Sequence, residues 1–236
     1  MYRGRKVVAV IPSRNEARFI GRTIHTLPAE IDDVVVIDDA SDDDTAGAAR
    51  GSGDPRVAVI TLPHNRGVGG AIVAGYRAAL ARRAALVLVT NGDGQMNGRE
   101  ALALLAPLVD GHADLVKGNR LRCPGTRDSI PAGRRAGIRL FSALTRLATG
   151  YDVGDAQSGY HALTAAALRR LPLESLWPRW GFPNDLLMKA AAAGLRVQER
   201  PVRAIYGDEV SALHPWHAVH PVGTLLLRGV ARRWRR

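Results

Sequence analysis

Leu86-Val87-Leu88-Val89-Thr90-Asn91-Gly92-Asp93-Gly94-Gln95-Met96 decides the fold, because an uninterrupted apolar run ends abruptly in a polar loop holding one carboxylate. A strand that is apolar on both faces belongs inside a parallel sheet covered by helices. Such sheets bind ligands just beyond the carboxyl ends of their strands. An Asp delivered there can hold a divalent ion that bridges two phosphates of a nucleotide. Val34-Val35-Val36-Ile37 ends likewise in Asp38-Asp39-Ala40-Ser41, so two strands release acids at what the pattern predicts to be one rim. Asp and Gly also punctuate strand ends as ordinary turn residues, and for either loop alone that reading stays open.

Working outward, strand and helix signals alternate, the βαβ pattern of a parallel sheet. Val7-Val8-Ala9-Val10-Ile11 reads as a buried strand closed by Pro12, and Ala17, Ile20, Ile24 and Leu27 share one face of a helix over residues 16–27. Further helices are expected over residues 43–50, 67–83, 99–109, 138–148, 165–171 and 185–193. Further strands are expected over 57–62, 114–117 and 196–203. Residues 121–135, rich in Pro, Gly, Ser, Thr and Arg, read as a mobile surface loop. No internal repeat or low-complexity segment interrupts the series.

With 236 residues, 46% hydrophobic and 23% charged, the chain fits one large α/β domain over 1–213 with a 23-residue basic tail, 214–236. The lone Cys123 excludes an internal disulfide and a cysteine zinc cluster. No stretch approaches the ~20 apolar residues of a membrane span, and the N-terminus leads directly into a strand rather than a signal peptide, so a cytoplasmic location is expected. A net charge of +11 asks for a polyanionic partner: nucleic acid, anionic lipid or a phosphorylated substrate. A generally arginine-rich composition accounts for it as well. Beyond Pro221, Val222, Leu225, Leu226, Val230 and Trp234 fall on one helical arc, with Arg228, Arg232, Arg235 and Arg236 largely opposite. With Trp216, this suits a membrane-surface helix; a helix docked on the domain's own core explains the apolar arc equally.

These residues suit a nucleotide-sugar site. Asp38 and Asp39 can accept hydrogen bonds from base or ribose, Asp93 can hold a metal, and Arg120 with Arg134 can clamp a phosphate in planar, bidentate geometry. The glycine run Asn65-Arg66-Gly67-Val68-Gly69-Gly70 lets backbone pass close to a ligand or another segment. A Rossmann fingerprint would follow the first strand, where this chain has Pro12-Ser13-Arg14-Asn15-Glu16 instead.

The combination Ile11-Pro12-Ser13-Arg14-Asn15-Glu16, Ile37-Asp38-Asp39-Ala40-Ser41 with Asp43 and Thr45, Asn65 to Ala71, Asn91-Gly92-Asp93-Gly94-Gln95, Gly118-Asn119-Arg120 and Asp155-Ala156-Gln157-Ser158-Gly159-Tyr160 resembles family 2 glycosyltransferases. The nearest branch is that of the dolichyl-phosphate and polyprenyl-phosphate mannosyl- and glucosyltransferases. The resemblance spans about Lys6 to Leu213, with motifs in the family's order. It implies a GT-A fold, with a mostly parallel central sheet and helices on both faces. The implied reaction is an inverting transfer of a hexose from GDP-mannose or a UDP-sugar to a polyprenyl phosphate, using Mg²⁺ or Mn²⁺. By motif match, Pro12, Asn15, Glu16, Asp38, Asp39, Asn91 and Asp93 face the donor, and Asp93, Gln95 and Asn91 the metal. Arg120, Arg134 and Ser158 face the acceptor, and Asp93, Arg120 and Arg134 carry catalysis. The implied place of work is the inner face of the membrane, as a peripheral enzyme.

Two positions depart from the family pattern. Asn91 stands where the family's metal motif usually begins with Asp, and Tyr206-Gly207-Asp208-Glu209-Val210-Ser211 lacks the arginine that often precedes the late Gly-x-Ser element. Asn184-Asp185 matches a position that commonly carries an acid, and reads equally as a helix cap. His161 reads as a surface or packing histidine, since a phosphate nucleophile needs no general base. Other readings are a glycosyltransferase with a soluble acceptor, a nucleotidyltransferase, and a nucleic-acid-binding module. A nucleotidyltransferase would want a Gly- and Lys-rich loop after the first strand. Against the nucleic-acid module stand 5% aromatic content and no reader motif, so no nucleic-acid partner is expected.

Overall fold

The computed structural model describes residues 1–123, 125, 126, 130–203, 205, 223, 224, 226, 227 and 229. The expected features at 206–222 and 230–236, including Trp216, Trp234 and the late arginines, lie outside these residues, as do Leu225 and Arg228.

The described strands are β1 (Val7–Ser13), β2 (Asp33–Asp38), β3 (Val57–Thr61), β4 (Leu86–Val89), β5 (Leu115–Asn119), β6 (His161–Thr164) and β7 (Val197–Pro201). They form one sheet in the order β3-β2-β1-β4-β6-β5-β7. Among them β6 alone is reversed, pairing antiparallel with β4 and β5, while the other pairs are parallel. The helices are α1 (Ile20–His25), α2 (Thr45–Arg50), α3 (Gly67–Ala81), α4 (Ala101–Val109), α5 (Ala132–Thr149), α6 (Ala165–Arg170) and α7 (Phe182–Ala192).

Strand alternation builds two cores. Val8, Val10, Val35, Ile37, Val87 and Val89 point to one face, under Ile72 and Tyr76 of α3 and Phe182 and Leu186 of α7. Val7, Ala9, Ile11, Val34, Val36, Leu86 and Leu88 point to the other, under Ile20 and Ile24 of α1 and Leu104 and Leu105 of α4. Every residue of β1 and β4 is buried, which is why their sequences read as continuous apolar runs rather than alternating ones. Each fully buried Val, Leu or Ile is worth roughly 1.5–3 kcal/mol relative to exposure. Gly75 lets α3 lie directly on the sheet, since a Cβ there would sit 2.1 Å from Cγ1 of Val10.

Several boundaries differ from expectation. β1 runs on through Pro12 to Ser13, and α1 occupies only the later part of the expected helix. α5 begins at Ala132 rather than 138, so Arg134 and Arg135 lie on a helix, and Thr126 and Ile130 of the expected surface loop are buried. β6 was not anticipated: four residues flanked by the polar loop give too short a pattern to separate from a turn. In the C-terminal segment the described residues are helical; Leu226 is fully buried and Leu227 is 63% exposed. A Cβ on Gly229 would meet Sδ of Met188 on α7 at 2.4 Å and the Cβ of Ala148 on α5 at 3.3 Å, so one side of this segment packs on the domain.

Candidate functional site

The carboxyl ends of β1, β2 and β4 share one rim, with Ser13 in register with Asp38 and Val10 with Val89. The loops after β1 and β2 are stitched together there. The Asn15 N–H donates to Ser41 Oγ at 3.0 Å, its side-chain carbonyl accepts from the Asp42 N–H at 2.8 Å, and the Glu16 N–H donates to Thr45 Oγ1 at 2.8 Å. Asn15 (φ 57°) and Ala40 (φ 55°) are both left-handed. At Ala40 that conformation costs on the order of 1 kcal/mol, a strain that persists where the surroundings impose it.

Asp38 and Asp39 are buried at the end of β2. Asp38 accepts from the Ser41 N–H at 3.1 Å, and Asp39 accepts from the Arg66 N–H at 2.7 Å, which ties the rim to the start of α3. The glycine run there is a packing device. Cβ atoms at Gly67 and Gly69 would strike the backbone of Pro178 and Trp177, at 2.5 and 2.1 Å.

After β4, Oδ1 of Asp93 accepts from the Gln95 N–H at 3.0 Å. Gly92 is required by contact, because a Cβ would lie 2.4 Å from Ser13 Oγ. No group of three or more His, Cys, Asp or Glu side chains is arranged for a metal among the described residues. One carboxylate, Asp93, with the amide oxygens available at Asn91 and Gln95, is an all-oxygen set. It suits Mg²⁺ or Mn²⁺ held jointly with substrate phosphates, the usual mode when protein carboxylates are few. The residues therefore fit an ion that arrives with a nucleotide diphosphate.

The reversal of β6 brings the 154–160 loop back to the same rim, between β4 and β5. His161 pairs in register with Val89 on one side and Lys117 on the other. A Cβ on Gly159 would sit 3.0 Å from Asn91 Oδ1, so this loop abuts the Asp93 loop. The loop is held from beneath by buried polar groups. Glu199 accepts from the Gly154 N–H at 2.9 Å, the Asp155 N–H at 2.9 Å and Asn119 Nδ2 at 2.6 Å. Asp155 accepts from Arg120 Nε at 2.7 Å and Nη2 at 2.9 Å. Burial raises the Asp155 pKa, but the adjacent Arg120 outweighs it and holds the carboxyl below its ordinary value. Gln157 Nε2 donates to Asn184 Oδ1 at 2.8 Å, and Asn184 Nδ2 donates to Thr145 Oγ1 at 2.8 Å, linking the loop through α7 to α5.

His161 is buried with both nitrogens engaged. Nδ1 donates to the Gly159 carbonyl at 2.6 Å, which leaves Nε2 to accept from the Tyr76 hydroxyl at 2.5 Å. Burial, aided by the Lys117 charge, lowers its pKa to about 3, so it is a neutral packing residue, the buried one of the two settings the sequence left open. Asp185 accepts from the Trp177 N–H at 2.8 Å and pairs with Lys189 at 2.5 Å. It ties its helix to the preceding loop.

The fold thus gathers Pro12, Asn15, Glu16, Asp38, Asp39, Asn91, Asp93, Gln95, Arg120 and Ser158 on loops and strand ends along one edge, and sets Arg134 on the first turn of α5. Arg120 differs from its expected setting: it is 4% exposed and its fork grips Asp155. Lys117, Asp155 and Glu199 were not singled out. The readable signal for Lys117 was a cation inside the apolar run Leu115-Val116-Lys117; nothing local marks Glu199.

A family model described as Glycosyl transferase family 2 matches residues 8–177. The undecaprenyl-phosphate mannosyltransferase of Micrococcus luteus is 31% identical over 202 residues, covering 84% of this chain and 82% of that protein. A UDP-N-acetylglucosamine–dolichyl-phosphate N-acetylglucosaminyltransferase of Methanococcus voltae is 26% identical, covering 86% of each. Among solved structures, glucosyl-3-phosphoglycerate synthase from Mycobacterium tuberculosis, in complex with Mn²⁺, UDP and phosphoglyceric acid, superposes with a TM-score of 0.71. It is 21% identical and covers 98% of this chain and 79% of that one, a likeness of fold.

Proposed function

Because the chain belongs to glycosyltransferase family 2 and is therefore a glycosyltransferase of GT-A fold, we propose that it moves a hexose from GDP-mannose or a UDP-sugar to a polyprenyl phosphate, with inversion. The observation that carries this reading is that, among the described residues, the acids and the histidine around the 154–160 loop are all engaged. Asp155 is paired with Arg120, Glu199 holds backbone amides, His161 is neutral with both nitrogens bonded, and Asp185 is paired with Lys189. A hydroxyl acceptor needs a base within hydrogen-bond reach. A phosphate monoester, with a second pKa of about 6, arrives already ionised.

In this reading a phosphate oxygen attacks the anomeric carbon, the bond from that carbon to the nucleoside diphosphate breaks, and the diphosphate leaves with the electron pair. A divalent ion bound at Asp93, Asn91 and Gln95 would neutralise charge developing on the diphosphate. Pro12, Asn15, Glu16, Asp38 and Asp39 orient the nucleoside. Arg134 and Arg120 supply positive charge toward the acceptor phosphate, Arg120 from within its pair with Asp155. The Ser158 hydroxyl, buried with no hydrogen-bond partner among the described residues, is a donor available to an acceptor oxygen. The named activities of the relatives in Micrococcus luteus and Methanococcus voltae agree with a lipid phosphate.

Peripheral membrane binding has its own support. No described helix is long and apolar enough to cross a membrane. On α5, Leu140 (59% exposed) and Leu147 (54%) lie two turns apart on one stripe, with exposed Arg139 and Arg146 alongside. That pattern suits a helix lying in an anionic interface.

The test is a transfer assay pairing GDP-mannose, UDP-glucose and UDP-N-acetylglucosamine with a short-chain polyprenyl phosphate, its dephosphorylated alcohol, or 3-phosphoglycerate, with and without Mn²⁺ or Mg²⁺. Transfer to the polyprenyl phosphate alone is expected. Transfer to the alcohol or to 3-phosphoglycerate in its place overturns the acceptor assignment.

A further inference from the structure

Lys117 contradicts the rule of its own strand. β5 is buried along its length, the Lys117 side chain is fully buried, and a hydrophobic residue would fill the same space at no desolvation cost. An ammonium can donate three hydrogen bonds. This one makes a single described bond, Nζ to the Ser158 carbonyl at 2.6 Å. The charges facing it are Asp155 on the loop and Glu199 on β7, which favour it, and Arg120, which opposes it; neutral His161 is its register partner on β6. A buried, partly satisfied cation spends stability, and such local violations concentrate where function requires them.

The recipient of the bond shows what is gained. Ser158 precedes Gly159, the residue that abuts Asn91, so the carbonyl held by Lys117 lies at the junction between the 154–160 loop and the Asp93 loop. We propose that Lys117 is a positioning residue: by holding the Ser158 carbonyl down onto the sheet, it sets the separation and orientation of the acceptor-side loop relative to the donor-side loop. The inference rests on the assignment of residues 154–160 to the acceptor. Burial lowers the Lys117 pKa to about 8, so the charge assistance to this bond weakens at mildly alkaline pH, where a phosphate acceptor no longer titrates.

Two variants test it: Lys117→Met keeps the volume and removes the donor, and Lys117→Gln keeps a donor without the charge. Lys117→Met removes a buried charge but leaves the Ser158 carbonyl without this donor, two opposing effects, so it is expected to stay folded with an unfolding temperature close to the parent's. Its KM for acceptor should rise about tenfold, with donor KM and the slow hydrolysis of donor by water within about twofold. Lys117→Gln should recover part of the loss, and amide exchange across 158–160 should quicken in Lys117→Met. An unchanged acceptor KM in a folded Lys117→Met protein, or equal rises for donor and acceptor, overturns the proposal. Should Lys117→Met fail to fold, the parent decides by its pH profile: acceptor KM should rise above pH about 8 while donor KM stays level, and a level acceptor KM overturns it. If the parent does not use polyprenyl phosphate at all, the acceptor class falls separately. Amide exchange then judges Lys117, and unaltered exchange at 158–160 in Lys117→Met refutes the positioning role.

Discussion

Arg120 and Asp155 form a bidentate pair, Nε to Oδ2 at 2.7 Å and Nη2 to Oδ1 at 2.9 Å, with side chains only 5% and 0% exposed. The Arg120 backbone N–H adds a third bond to Oδ2 at 3.1 Å. An arginine at the rim of the sheet is thereby fixed in place by the start of the 154–160 loop.

Arg120→Ala should therefore cost about 3–5 kcal/mol of stability, because it strands a buried carboxylate. Urea unfolding at pH 7 checks this. Since the folded pKa of Asp155 lies below its unfolded value, the pair's contribution is present above about pH 4 and is lost as pH falls through the folded value. Arg134→Ala, at a half-buried helix position, should raise acceptor KM about tenfold or more through loss of a charge-assisted bond. A rise confined to donor KM would move Arg134 to the donor side.

Asp93→Ala should lower kcat by a factor of 10² or more while the unfolding midpoint stays close to the parent's, since it removes the loop's charge toward a metal-bound diphosphate. Asn91→Asp should lower the Mn²⁺ or Mg²⁺ concentration for half-maximal activity by adding a hard anionic ligand. An unchanged metal titration in Asn91→Asp would place that side chain outside the ion's reach.

His161 offers a pH signature of stability rather than activity. Its pKa is lowered to about 3 in the fold, against about 6.5 in the unfolded chain. The unfolded state binds the proton first, so the contribution is intact above pH about 6.5 and erodes between there and about 3. The slope reaches up to about 1.4 kcal/mol per pH unit. Comparing the parent with a Tyr76→Phe, His161→Phe double variant by denaturant unfolding from pH 7 to 4 should show the parent losing stability more steeply. Parallel pH curves would contradict the buried neutral histidine.

Removing residues 221–236 should destabilise the domain, because Leu226 is fully buried and Gly229 lies against Met188 and Ala148. A loss on the order of 2 kcal/mol or more is expected from the exposed apolar surface alone. Leu140→Asp with Leu147→Asp should leave the fold intact and weaken sedimentation with anionic vesicles. Undiminished vesicle binding would send the membrane contact elsewhere.

The strand ends were legible in the sequence because burial on both faces writes itself as continuous apolar runs, and a run that stops at Asp38-Asp39 or at Asn91-Gly92-Asp93 shows where the rim must be. The boundaries of α5 were less legible. Helical phi and psi through Ala132-Gly133-Arg134-Arg135 depend on packing rather than propensity, and polar glycine-containing turns read locally as loop.

By itself, then, the sequence determined the class of sheet and the two acidic strand ends, since each rests on periodicity or on residue chemistry within a short window. The reversal of β6, and with it the meeting of Gly159 with Asn91, was decided only by tertiary structure. So were the pairing of Arg120 with Asp155, 35 positions further along the chain, and the seating of Lys117 under Ser158. Those contacts join residues far apart in the chain, and a buried charge takes its partner from whatever the fold brings near it rather than from its neighbours in sequence.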